Sequence, residues 1–381
     1  MKRLVILLAI IGLHTTLANA QTSDLKALPS KIEAGQWKAG HIQGIAVDTK
    51  REHIYFSFTT ILIKTDLQGN IIGTVSGLLG HLGCIEFNDE DGRLYGSLEY
   101  KYDSIGKGIL KQEGVTKRFE DGFYVAIFDV DKIDRMDMNA ERDGVMTTVF
   151  LHSVLADYQA TVEHRGQSLK HRYGCSGFDG ISFGPRFGKS ADNKHYLTIA
   201  YGIYGDASRS DNDYQVLLQY DTSDWSRYEY PLSQENMHRN GPTQPDARYL
   251  VYTGNKNWGV QNLEYDPHTR LWLLATYESR KPGFADLRLF AVSANEKGKV
   301  VRPKGIDYTG KERVLALAEV GVADPANPAI RGWAFDASVG LCSLGDGRFY
   351  IAKKQKGKGW QSGRAELFKF SPDSATPFVE M

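Results

Sequence analysis

The chain has 381 residues, with 46 Lys and Arg against 46 Asp and Glu, a formal net charge of +0, and 39 glycines. That length supplies one large core or two ordinary ones and excludes a small disulfide-stapled scaffold. Balanced charge excludes a general nucleic-acid binder, which needs concentrated Lys and Arg, yet leaves room for a local basic pocket that takes a carboxylate or phosphate.

The N-terminus reads as a signal peptide over residues 1–20: basic Lys2 and Arg3, an apolar run from Leu4 to Leu13, and small Ala18-Asn19-Ala20 before Gln21. The run is too short for an easy membrane span, and no later segment offers about twenty uninterrupted apolar residues. The expectation is an exported monomer, periplasmic or secreted, without a membrane span in its mature form. Residues 21–39 read as a lead segment and 40–381 as one domain.

From Gly44, GIAVDTKREHIYFSFTTILIKTDLQGNII reads as a strand, a polar turn, a second strand, and a third ending at the Gln68-Gly69-Asn70 turn. From Cys84, CIEFNDEDGRLYGSLEY begins the same pattern, and GFYVAIFDVDKI completes it beyond a polar insertion at Lys101 to Gly122. The pattern returns near Gly180, near Asn262 and near Leu341. Recurrence at intervals of about 40 or about 80 to 100 residues points to an all-β fold, a seven-bladed β-propeller, the count coming from roughly 340 residues at about 48 per blade. A two-sheet sandwich would explain the strands but not their recurrence. A ring also requires closure, for which mixing of the first and last strands is one arrangement. Cys84, Cys175 and Cys342 all lie beside strand-like runs and read as buried free thiols.

The HExxH, Walker A, GxSxG and GxGxxG motifs are absent, so metalloprotease, ATPase, esterase-elbow and dinucleotide readings have no motif behind them. What stands out is KAGHIQGIAVD, with His41 and Gln43 two residues apart at a strand entrance, and GLLGHLGCIEFN, with His81 in the equivalent place. The stretch ADYQATVEHRGQSLKHRYGCSGFDGISFGP gathers Tyr158, His164, Arg165, His171, Arg172, Tyr173, Cys175 and Asp179. Arg can hold a sugar carboxylate through two hydrogen bonds, while Tyr or His exchanges a proton beside it. His171 and Cys175 lack a complete local metal shell, and the Asp211 to Tyr214 run reads as a polar turn or a Ca²⁺ loop. Trp258, Trp272 and Trp333 read as sugar-stacking faces or as core.

GHIQGIAVD, GHLGCIEFN and HRYGCSGFDGISFGP resemble segments of exported bacterial seven-bladed propellers that process rhamnose-uronate glycans, the ulvan lyases and the α-L-rhamnosidases among them. A lyase-like correspondence implies His81 and Tyr158 as proton-transfer residues and Arg172 as the carboxylate's partner, with Tyr100, Lys101 and Tyr102 standing where the lyases carry a further histidine. A rhamnosidase-like correspondence implies His41 as the catalytic residue with Gln43 beside the substrate. The resulting expectation is an exo-acting rhamnosidase that releases rhamnose from rhamnosyl-glucuronic acid units. Elimination at the same linkage and an inactive glycan-binding propeller are the alternatives. Hydrolysis of this kind requires no cofactor, and a structural zinc or calcium ion is compatible with the residues. The expected partner is a uronate-containing oligosaccharide or polysaccharide, not nucleic acid.

Overall fold

The computed structural model describes residues 28–189, 194–254 and 259–381. Short strands, most of them buried along nearly their whole length, fold back on themselves at Gly, Asp and Asn turns, giving five mainly antiparallel sheets of three or more strands. Blade 1 runs through Ile42–Asp48, His53–Phe58, Ile61–Asp66 and Ile71–Ser76. Blade 2 comprises His81–Asn88, Arg93–Tyr100, Gly122–Phe128 and Met146–Phe150. Blade 3 begins with Cys175–Pro185, His195–Ile203, Tyr214–Tyr220 and Ala247–Tyr252, then adds Glu312–Leu315 and Lys299–Val301 on its outer edge. Blade 4 has Val260–Asp266, Leu271–Thr276 and Leu289–Ser293.

Blade 5 is assembled from both ends of the chain. Leu341–Ser343, Arg348–Gly357 and Trp360–Phe370 come from the C-terminal region, and Lys31–Trp37 adds the outer strand in antiparallel register, Lys31 opposite Glu366. The segment that the sequence reading set apart as a lead therefore carries the strand that closes the ring. Ile32 and Ala34 are the buried residues of that strand, packed with Tyr350, Ala365 and Leu367.

The expected seven blades are corrected to five. The first strands of the blades pack in the order 1, 2, 3, 4, 5 and back to 1, so no gap is left for another pair. The five recurrences near Gly44, Cys84, Gly180, Asn262 and Leu341 fall on these five first strands or at their edge. The length that implied two further blades is taken up instead by insertions. The polar stretch after Lys101 contains the helix Ser104–Gln112, capped by Asp103, whose carboxylate accepts the Gly106 N–H. The helix His152–Gln159 and the hairpin Thr161–His164 with Gln167–Lys170 precede blade 3. Blade count also overturns the resemblance to seven-bladed rhamnose-uronate propellers, because that likeness required a ring of different size.

The core lies between the blades. Trp272 and Trp333 are fully buried within it, and Trp258 lies outside the described residues. The three cysteines are free and buried. Among the described residues no helix is long and apolar enough to cross a membrane. The expected signal peptide lies outside the described residues.

Candidate functional site at the axial mouth

The first strands of blades 1 to 4 each carry a register shift near their start: between Ile42 and Gly44, Leu82 and Ile85, Phe178 and Ile181, and Val260 and Asn262. A bulge leaves an extra residue unpaired and re-aims its side chain. The residues so released include Gln43, Asp179 and Gln261, at the end of the ring where His41 and His81 also stand. In blade 2 the released position is Gly83. A Cβ there would sit 2.4 Å from Ser97 Oγ and 3.1 Å from Asp179 Oδ1, so only glycine lets the blade 3 carboxylate lie against blade 2.

His81 pairs in register with Glu99 on the neighbouring strand, which places both on one face of blade 2. Asp179 completes a cluster in which one ligand atom from each of the three lies within 4.8 Å of the others, with His81 Nδ1 3.8 Å from Asp179 Oδ1. This buried His/Glu/Asp cluster is able to coordinate a metal ion. Lys101 Nζ stands 2.6 Å from Glu99 Oε2 and donates to Ser176 O at 2.6 Å, while Glu99 Oε1 accepts the Phe178 N–H at 2.5 Å.

Burial pushes His81 down to about 3, helped by the Lys101 and His41 charges, so its imidazole is neutral. Burial pushes Glu99 up to about 8, with Lys101 pulling the other way and Asp179 adding to the rise. Both Glu99 oxygens accept hydrogen bonds, one from an ammonium, and these contacts limit the rise without cancelling it. Lys101 is opposed by burial but held well above the ordinary lysine range by Glu99, Asp103 and Asp179. Burial likewise raises Asp179, against Lys101 and a hydrogen bond from Gln261.

Beside the cluster, His41 Nδ1 lies 2.7 Å from Ile42 O, which fixes the proton on Nδ1 and leaves Nε2 facing Gln43 Nε2 at 3.4 Å. Gln43 also donates to Thr59 Oγ1 at 3.2 Å. Burial lowers the His41 pKa, the Ile42 contact opposes this, and Lys354 lowers it further. Lys354, exposed on blade 5, also lies 5.7 Å from the Tyr277 ring and has no carboxylate within ion-pair distance among the described residues.

Tyr158 lines an open cleft of about 430 Å³ with His171, Tyr204, Arg118 and Asp121. Its ring lies 4.6 Å from that of His171, which stacks on Tyr204 at 4.9 Å and 15°. Burial raises the Tyr158 pKa, with Asp121 raising it and Lys101 lowering it, so the cleft and the axial cluster share one electrostatic neighbourhood. Arg172 points elsewhere: its guanidinium donates to buried Asp157 at 2.9 Å, and Asp157 also accepts Tyr201 Oη at 2.8 Å and faces Arg248 at 3.4 Å. The structure thus brings His41, Gln43 and His81 to the mouth, sets Tyr158 in the adjoining cleft, and ties the half-exposed Arg172 to buried Asp157. Asp211, the start of the polar run, is held by Arg209 through both carboxylate oxygens.

Sequence reasoning passed over Glu99 and Lys354, and named Lys101 only as standing where the lyases carry a further histidine. Only Lys354 had a local signal, the basic Lys353-Lys354-Gln355-Lys356 run. At the opposite end of the channel Glu86 and Glu264 hydrogen-bond to each other beside a cavity of about 220 Å³ that Ser343 and Asn88 also line. Burial pushes Glu86 up to about 8 and Glu264 well above the carboxylate range, the latter also through Glu86.

No family model and no curated protein sequence matches the chain. Among solved structures, the apo-form of the soluble aldose sugar dehydrogenase from Escherichia coli aligns with a TM-score of 0.37 and 12% identity, over 90% of this chain and 99% of that one. The holo pyranose dehydrogenase PQQ domain from Coprinopsis cinerea aligns with a TM-score of 0.32 and 10% identity, over 85% and 81%. At these values neither likeness carries a cofactor, substrate or reaction to this chain.

Proposed function

We propose that the protein is a glycan-cleaving hydrolase whose centre is the axial mouth and whose substrate is an acidic saccharide. The observation that supports this reading is the convergence there of His41, a neutral imidazole whose unprotonated Nε2 is met only by a long 3.4 Å contact from Gln43, and Lys354, an exposed lysine with no carboxylate partner among the described residues. A uronate carboxylate on Lys354 would lie beside His41, where Nε2 takes a proton from water or returns one to the departing sugar oxygen. Gln43 orients that ring. Lys354 takes the place first assigned to Arg172, whose guanidinium is engaged by Asp157.

The cluster of His81, Glu99 and Asp179 would hold zinc more readily than calcium, because calcium takes oxygen ligands throughout whereas zinc accepts an imidazole nitrogen. Such an ion would order the mouth and leave proton transfer to His41. Release of rhamnose from rhamnosyl-glucuronic acid is the finer reaction to test first, and an exported protein acting on extracellular glycan fits it. Elimination is the second reading, favoured by the electrostatic contact between Tyr158 and Lys101.

Incubation with defined uronate-containing oligosaccharides, read by mass spectrometry, separates these outcomes. Hydrolysis adds water, and its loss in a folded His41→Ala variant is the expected result. An unsaturated uronate, lost in Tyr158→Phe, would replace hydrolysis with elimination. Intact saccharide throughout the panel would overturn both.

A further inference from the structure

Away from the axial mouth, His164 ends the strand Thr161–His164 at a two-residue turn in which Arg165 and Gly166 adopt φ of 50° and 74°. Its Nε2 lies 2.9 Å from Ser210 Oγ, in the loop between the second and third strands of blade 3. Its Nδ1 lies 2.5 Å from Asp307 Oδ1, in the loop that precedes Glu312–Leu315. The other Asp307 oxygen accepts the Arg165 N–H at 3.4 Å. Three segments far apart in sequence therefore place a hydroxyl, an imidazole and a carboxylate in line.

We propose that Ser210, His164 and Asp307 form a nucleophile–base–acid triad for acyl transfer, a second activity that cleaves small acyl esters such as O-acetyl groups on a saccharide. The roles follow from the atoms. A carboxylate on Nδ1 fixes the proton there, which leaves the Nε2 lone pair aimed at the serine hydroxyl. His164 is 3% exposed, whereas Ser210 is half-buried and is the group that substrate and water can reach. Asp307 is 56% exposed and its pKa is lowered by the His164 hydrogen bond, so it stays ionised. The N–H of half-buried Ser210 makes no hydrogen bond among the described residues and is the candidate donor to an oxyanion, whereas Asp211 is buried.

The triad also adjoins the Tyr158 cleft. Arg209, next to Ser210, donates to the carbonyls of Lys170 and His171, two residues that line it. In the reaction Ser210 Oγ attacks the ester carbonyl while its proton passes to His164 Nε2. The carbon–oxygen bond to the sugar breaks, and the leaving alkoxide takes that proton. Water, losing a proton to His164, then attacks the acyl-serine and frees the carboxylic acid, restoring Ser210.

The test uses the full-length protein, a fluorophosphonate probe with peptide mass spectrometry, and p-nitrophenyl acetate. The expected result is a covalent adduct on Ser210 and turnover that falls about a thousand-fold in Ser210→Ala and in His164→Gln, both with wild-type melting curves. Asp307→Asn should lower the rate and displace the pH at which it is half-maximal. An unlabelled Ser210 under conditions that fully label a control serine esterase would overturn the triad, and so would undiminished turnover in Ser210→Ala. Because labelling is read on the wild type, its outcome does not depend on whether a variant folds. A contact that merely ties the hairpin down predicts lowered melting temperatures and no adduct. Failure of the axial hydrolase would leave this result untouched, since the two sites share no residue.

Discussion

His81 Nδ1 and Asp179 Oδ1 stand 3.8 Å apart across the seam between blades 2 and 3, with Gly83 beneath them. If this seam holds a metal, millimolar zinc or manganese will raise the melting temperature, since an ion bound only by the folded state stabilises it by about 2.7 kcal/mol at a hundred-fold excess over Kd. Asp179→Asn should remove the shift. Melting curves indifferent to every divalent metal tried would show that the cluster is paired internally through Lys101 instead. Gly83→Ala should cost about 1–3 kcal/mol, because its Cβ collides with Ser97 and crowds Asp179.

Asp157 is buried beneath three donors, Arg172, Arg248 and Tyr201. Asp157→Ala removes the acceptor shared by buried Tyr201 Oη and two partly exposed guanidiniums and should cost about 1–3 kcal/mol in urea unfolding. Arg172 is 41% exposed, so Arg172→Ala should cost about 1 kcal/mol and leave the preference for uronate over neutral saccharide intact. Lys354→Ala should do the reverse: normal stability with the preference lost. Equal discrimination in wild type and Lys354→Ala would remove that lysine from recognition.

Between pH 6.5 and 8 stability should fall as pH rises. Glu86 and Glu264 lie near 4.5 when unfolded, yet are raised in the folded protein, Glu86 to about 8. Their protonated pair is therefore fully stabilising below about pH 4.5, and that contribution is lost as pH climbs through the folded value, at up to about 1.4 kcal/mol per pH unit for each retained proton. Asp89 and Asp266 strengthen the rise, whereas Ser182 and the Phe183 and Ser343 N–H groups oppose it. His41, His81 and His171 have lowered values and destabilise only as pH drops below about 6.5, outside this window. Glu264→Gln should flatten the slope. An unchanged slope in chemical denaturation would mean that the pair is ionised and matched by solvent.

Ile32→Ala, in the strand that completes blade 5, should cost about 2–4 kcal/mol, the loss expected for a fully packed side chain. Glu33→Ala, exposed on the same strand, should be near neutral. If both variants melt like wild type, the Lys31–Trp37 ladder contributes little to holding the ring shut.

The propeller pattern was legible because each blade begins with an apolar run behind a glycine or polar turn, and the recurrences at Gly44, Cys84, Gly180, Asn262 and Leu341 mark five blades. Dividing length by an average blade obscured this count, since insertions such as the Ser104–Gln112 helix and the two added strands of blade 3 consume chain without adding a sector. His41 and His81 were legible as residues at strand entrances. Glu99 and Lys101 were not, because their approach to His81 is set by cross-strand register, which local sequence does not encode. Arg172 carried the right charge in a conspicuous segment, but its direction depends on Asp157 from the preceding helix.

The ladder between Lys31–Trp37 and Trp360–Phe370 joins two strands separated by all the other blades, and this sets the order in which the ring can close. During vectorial synthesis blades 1 to 4 can assemble as an open arc whose N-terminal strand has no neighbour. Loop-closure entropy grows only slowly with separation, so the distance is tolerable, but the partner strand does not exist until residues 360–370 have been made. The axial mouth, built from every sector of the arc, is then finished in one late step. A nascent or C-terminally truncated chain would expose an unpaired edge while lacking a site.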